Sequence, residues 1–252
     1  MKDFIKKYWK TLFFFTIIGL IGGYFVALYQ IDSFPVEMQQ QIYEQGITKT
    51  MLGLISAIQS AGYGFVLGAI GIFLGEKVGL WKDERKIDKK PLILTIIISI
   101  ISGVGIIVPD LLFFGKYSQA IMDSYVVKPT IPYLIATVTY GGIIEEVMLR
   151  LFFMSLIAFI LHKLFNKKND RPTTGILITA NILAAILFAA GHLPATSTTL
   201  GLTPIIVFRC FLLNGSFGLL FGYLYRKYGL RYSMIAHAGC HMVSKLIWIL
   251  FI

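Results

Sequence analysis

"IPYLIATVTYGGIIEEVMLRLFFMSLIAFIL", running from Ile131 to Leu161, holds two adjacent carboxylates, Glu145 and Glu146, and a guanidinium, Arg150, inside an otherwise apolar run. A bilayer crossing needs ~20 mostly apolar residues, and this stretch is longer than that. A charge near the bilayer centre costs at least ~2.5–3.5 kcal/mol on insertion scales, so such groups face a polar interior and carry a task. The stretch therefore reads as a membrane helix whose Glu145, Glu146 and Arg150 look into the protein.

The rest of the chain agrees. Its 252 residues are 56% hydrophobic and 14% charged, against roughly 25% charged in a soluble domain. Mean hydropathy is +0.75. The expected fold is all-α, a polytopic transmembrane helix bundle of about seven spans with a polar cavity inside the membrane. The spans are Thr11–Tyr29, Met51–Leu74, Pro91–Val108, Ile131–Leu164, Thr174–Gly191, Pro204–Tyr225 and Ser233–Ile252. The fourth is over-long for one crossing. IDSFPVEMQQQIYEQG, after the first span, suits an interfacial helix or a loop.

The net charge of +10 does not point to nucleic acid, because lysines and arginines cluster at the ends of apolar runs. They stand before the first span and after the second, fourth and sixth. The loops between, including DLLFFGKYSQAIMDSYVVK and LPATSTTLGLT, are poor in them. Positive-inside asymmetry of this kind predicts a multi-pass protein of the cell membrane, N-terminus cytoplasmic and C-terminus outside. No cleavage motif follows the first span, so it is expected to stay as an anchor. Cys210 and Cys240 sit in apolar surroundings and read as packing residues rather than a disulfide.

Polar chemistry gathers on three spans. The fourth carries Glu145, Glu146 and Arg150; the fifth closes on LFAAGH with His192; the seventh carries IAHAGCH with His237 and His241. On a helix Glu146 and Arg150, at i and i+4, share a face and can pair. Glu145 is turned about 100° from Glu146, so it stays free to act as a base. His237 and His241 are also i and i+4. Ala236, Ala238 and Gly239 around them allow another helix to approach closely. Carboxylates and imidazoles on three separate helices are the parts for activating a water. His162, beside a basic loop, reads as an interfacial residue outside this set. Arg209, in the sixth span, needs a partner, either Asp110 or a site carboxylate. Simple counting places His192 near the outer end of its helix, at odds with the depth of Glu145.

EEVMLR, FAAGH and HAGCH, in that order, resemble the EExxxR, FxxxH and HxxxN-type motifs of the CPBP intramembrane protease family, also called Abi or CAAX-protease-like. That family includes Rce1-type prenyl-protein endopeptidases and bacterial bacteriocin-processing and immunity proteins. The resemblance runs from about Ile131 to the C-terminus. It implies a catalytic core at 131–252 preceded by N-terminal helices at 1–130, integrated into one membrane domain. It further implies that Glu145 activates the attacking water and that Glu146 and Arg150 support the site. His192 would move a proton or bind metal, and His237 would stabilise the oxyanion or ligate. His241 stands where the family usually has Asn, which leaves that position either a donor or a ligand. Both a Zn²⁺ or other divalent metal held by Glu145, His192, His237 and His241, and a metal-free glutamate mechanism, fit the family. The expected partners are a peptide or membrane-protein substrate and the lipid bilayer, with no nucleic acid. The expected function is an intramembrane endopeptidase, for which pheromone maturation, bacteriocin processing and self-immunity are candidate settings. A non-catalytic immunity or binding protein of the same fold, or a proton-coupled transporter, is the alternative.

Overall fold

The computed structural model describes residues 2–82 and 87–252, so residues 83–86 of the basic loop after the second span lie outside the described residues. Within them the chain is helical and contains no strand. Seven long helical segments follow the expected spans: α1 (Lys2–Ser33), α2 (Lys49–Val78), α3 (Lys89–Leu112), α4 (131–165), α5 (Thr174–Gly191), α6 (Pro204–Tyr228) and α7 (Leu230–Phe251). Among the described residues six helices are long and apolar enough to cross a membrane, and the protein is a multi-pass membrane protein. The remaining segment, α4, is helical along its whole length but carries the charged residues.

Two expected loops contain helix. Leu193–Leu200 continues from α5, with Pro194 in its first turn, where proline's missing N–H is not needed. Gln119–Ser124 forms a short helix in the stretch after α3. The undecided stretch after α1 contains a helix, Val36–Glu44, that buries none of its residues.

The burial pattern shows the solvent for which the bundle is built. α3 buries Thr95, Ser99 and Ser102 and exposes Ile97, Ile100, Ile101 and Val108. A soluble helix does the reverse. Without a hydrophobic drive between helices in lipid, small residues that let backbones approach mediate packing. α1 shows this against α2: a Cβ on Gly19 would lie 2.5 Å from the Ser60 carbonyl oxygen, and one on Gly23 would lie 2.4 Å from that of Ser56.

The polar helix is central. α1, α2, α5, α6 and α7 all pack on α4, while α3 packs on α6 and α7. α4 changes pitch twice. Thr137–Ile144 and Val147–Met154 are π-helical, and Glu145 and Glu146 sit at the junction between them. π segments inside α-helices concentrate at functional sites.

Candidate active site

α4 and α7 meet at glycine. A Cβ on Gly142 would lie 2.6 Å from the Ala238 Cβ, and one on Gly141 would lie 2.8 Å from His241 Nε2. The GG pair just ahead of the glutamates therefore lets the histidine helix close on them. On the far side of α7, Gly239 faces Ser99 of α3 in the same manner.

This approach assembles a buried network around Glu146, which is fully enclosed. Its Oε1 accepts from His237 Nδ1 at 2.9 Å, and its Oε2 accepts a short hydrogen bond from Ser233 Oγ. Arg150 Nε lies 3.4 Å from the same Oε2, the ion pair expected from the i, i+4 spacing. Arg150 Nη2 donates to the Gly218 carbonyl at 3.2 Å, so α6 helps to hold it. The guanidinium lies 4.6 Å from the Phe188 ring centroid, a cation–π contact.

His237 is clamped as a plane. Its ring stacks on Phe221 at 4.7 Å and on His241 at 4.9 Å. With Nδ1 donating to Glu146, Nε2 is directed towards Glu145 Oε2, 4.0 Å away. The Glu145 side chain remains 19% exposed, unlike its neighbour.

His192 enters through an aromatic relay. Its ring packs on Phe188 at 4.7 Å, and Phe188 meets His237 edge-on at 5.5 Å. His192 Nδ1 donates to the Phe188 carbonyl at 2.8 Å, which leaves Nε2 as the free nitrogen. The depth conflict disappears because the crossing extends from Thr174 to Leu200, placing His192 inside the span. His241 contributes a stacked ring whose Nδ1 is buried without a hydrogen-bond partner.

His237 Nδ1 and His192 Nδ1 bond Glu146 and a backbone carbonyl, the outer contacts that a metal-ligating histidine also makes, and each leaves Nε2 free. Among the described residues no three His, Cys, Asp or Glu side chains converge on one point.

Outside the site, His162 stands in the last turn of α4 beside the basic loop, is buried there, and interacts with Asn166 at 3.3 Å. Cys210 and Cys240 are free and buried. Arg209 pairs with Asp110, not with a site carboxylate. Sequence reasoning missed Ser233 and Lys245. Both belong to a stripe spaced by four on α7, Ser233, His237, His241 and Lys245, and that spacing was the available signal. Phe188 is the aromatic of the FAAGH motif, where the sequence reading gives it no role; Phe221 and the Gly218 carbonyl carried no such signal.

Comparison with known proteins gives one finding. Residues 127–243 match the family model described as type II CAAX prenyl endopeptidase Rce1-like. The match begins just ahead of α4 and ends within α7, so α1 to α3 lie outside it. No curated protein and no solved structure matches the chain.

Proposed function

Residues 127–243 belong to the CAAX-protease-like, or CPBP, family, and we propose that Glu145 drives peptide-bond hydrolysis within the membrane by activating a water. The observation that carries this is the division of labour between adjacent carboxylates. Glu146 is saturated by Ser233, His237 and Arg150, while Glu145 is partly exposed and faces His237 Nε2 at 4.0 Å.

That spacing admits a water set to one side and hydrogen-bonded to both groups. Glu145 takes a proton from the water as its oxygen bonds to the scissile carbonyl carbon. The carbonyl π pair moves onto oxygen. Collapse of the tetrahedral species then breaks the C–N bond, and the departing amine takes the proton from Glu145. Glu146 and Arg150 fix the imidazole of His237 so that it works from a constant position. A His237 that enters the cycle already doubly protonated, its charge matched by Glu146, keeps both protons throughout and donates from Nε2 to the developing oxyanion, an interaction worth about 3–4 kcal/mol where such donors have been removed elsewhere. His192, with Nε2 free, serves proton transfer. No step requires a metal.

The substrate is a peptide or membrane-anchored protein. The positive-inside pattern supports a cytoplasmic N-terminus and a cell-membrane location, which reporter fusions to each loop would test. The decisive experiment offers peptide pools to the purified protein in detergent and compares it with Glu145→Ala, with and without a chelator. Cleavage lost in the variant and untouched by chelation is expected. Cleavage persisting in Glu145→Ala would remove this residue as the base.

A further inference from the structure

The polar stripe of α7 does not stop at the site. Lys245 lies one turn beyond His241 and two beyond His237, and it is only 8% exposed. α4 and α7 run antiparallel: Glu145 faces His237, Gly141 faces His241, and the long Lys245 side chain reaches on to Tyr133, its Nζ 4.8 Å from the ring centroid. The same Nζ lies 5.6 Å from the Trp248 ring. Among the described residues no carboxylate pairs with it.

The neighbouring carboxylates are engaged elsewhere. Asp32 binds Lys49 at 2.6 Å, Asp123 accepts from the Gln119 amide, and Asp110 is held by Arg209. The ammonium instead lines a cavity of about 510 Å³, bounded also by Tyr29, Tyr133, Arg209 and Trp248 and, at its margin, by the engaged Asp32 and Asp123. The volume is that of a ligand pocket. A buried cation without a counter-charge is unfavourable unless something charged or polar meets it. The recess lies at the other end of the same α4–α7 seam that holds Glu145 and His237, ~12 Å along α7 at ~1.5 Å per residue. A short extended stretch of peptide covers that distance.

We propose that this cavity is a carboxylate subsite in which Lys245 binds a carboxylate of the peptide being cleaved. The inference rests on the peptidase reading above. Lys245 is a specificity residue: it holds the substrate without touching the reacting bond.

The test uses binding and cleavage separately. Fluorescent hydrophobic decapeptides are prepared with a free C-terminus or a C-terminal amide, and with an internal Glu or Gln. Their binding is measured on the unmodified protein, on Glu145→Gln, and on Glu145→Gln combined with Lys245→Met or Lys245→Arg, in neutral detergent without and with an anionic phospholipid. Removing the relevant carboxylate is expected to weaken binding about tenfold or more where Lys245 is present, the ratio for losing one hydrogen bond to a charged group. Lys245→Met should abolish that difference, and Lys245→Arg should restore it. Whichever amide produces the effect identifies the terminal or the side-chain source. In cleavage by the wild type, Lys245→Met should raise KM with kcat kept. Equal binding of acid and amide peptides to the unmodified protein would overturn the proposal. So would a Lys245 effect seen only with anionic phospholipid. Carboxylate-selective binding without cleavage of any peptide would instead remove the peptidase reading and leave the subsite standing.

Discussion

The bundle buries two carboxylate–arginine pairs, and they are built differently. Asp110 on α3 receives Arg209 Nε and Nη2 at 2.5 Å each and Tyr125 Oη at 2.8 Å. This is a closed, bidentate pair that ties α3 to α6 and to the turn after Gln119–Ser124. Glu146 shares its oxygens among Ser233, His237 and an off-axis Arg150 whose Nη1 has no hydrogen-bond partner. The first pair ends in itself. The second ends in an imidazole whose far nitrogen meets another carboxylate. Burial of an ion pair in lipid does not by itself mark a site; a pair that holds a second reactive group does.

Five changes would break or sharpen that contrast. Glu145→Gln should lower kcat by about 10²–10⁴, the range for losing a general base, while the unfolding midpoint stays near wild type. Glu146→Gln should damage both properties, since leaving Arg150 buried without its counter-charge costs about 3–5 kcal/mol. A chemical-denaturation curve beside a turnover assay would show the double loss. Gly142→Ala forces α7 away from α4, and a displacement of order 1 Å should reduce kcat roughly 100-fold. Asp110→Asn should destabilise the bundle yet leave the kcat of folded protein within about twofold, and pairing Asp110→Leu with Arg209→Met should recover much of the stability. A large kcat loss in that double variant would erase the distinction between the pairs. His162→Ala should be the mildest, costing about 1 kcal/mol of stability for its Asn166 interaction with turnover unchanged.

Much of this was readable from residue type and spacing. Glu146 with Arg150, and His237 with His241, are local relations set by helical period, and lipid forced their polar groups inward. Asp110 and Arg209 lie 99 residues apart, so only the packed fold selects between them and a site carboxylate. Depth along the membrane misled the placement of His192, because counting ended the span at Gly191, whereas a further helical stretch opens at Leu193. The pitch changes in α4 left no trace in composition: the residues of Thr137–Met154 suit α and π geometry equally, and neighbouring helices decide. Lys245 was passed over because a lysine near a helix end usually snorkels to the interface, whereas here Tyr133 and Trp248 enclose it.

The two wide turns of α4 have an implication for how the chain tolerates change. Each holds slack that an ordinary helix lacks, and the glutamates sit at the splice between them. Losing one residue within either wide turn would let it tighten to regular pitch, the i+5 residue becoming i+4, so the downstream face stays in register. The same loss in the regular helix of α5 has no slack to draw on and swivels everything downstream by about 100°. Single-residue deletions across 137–154 should therefore be more forgiving than single-residue deletions within Thr174–Gly191.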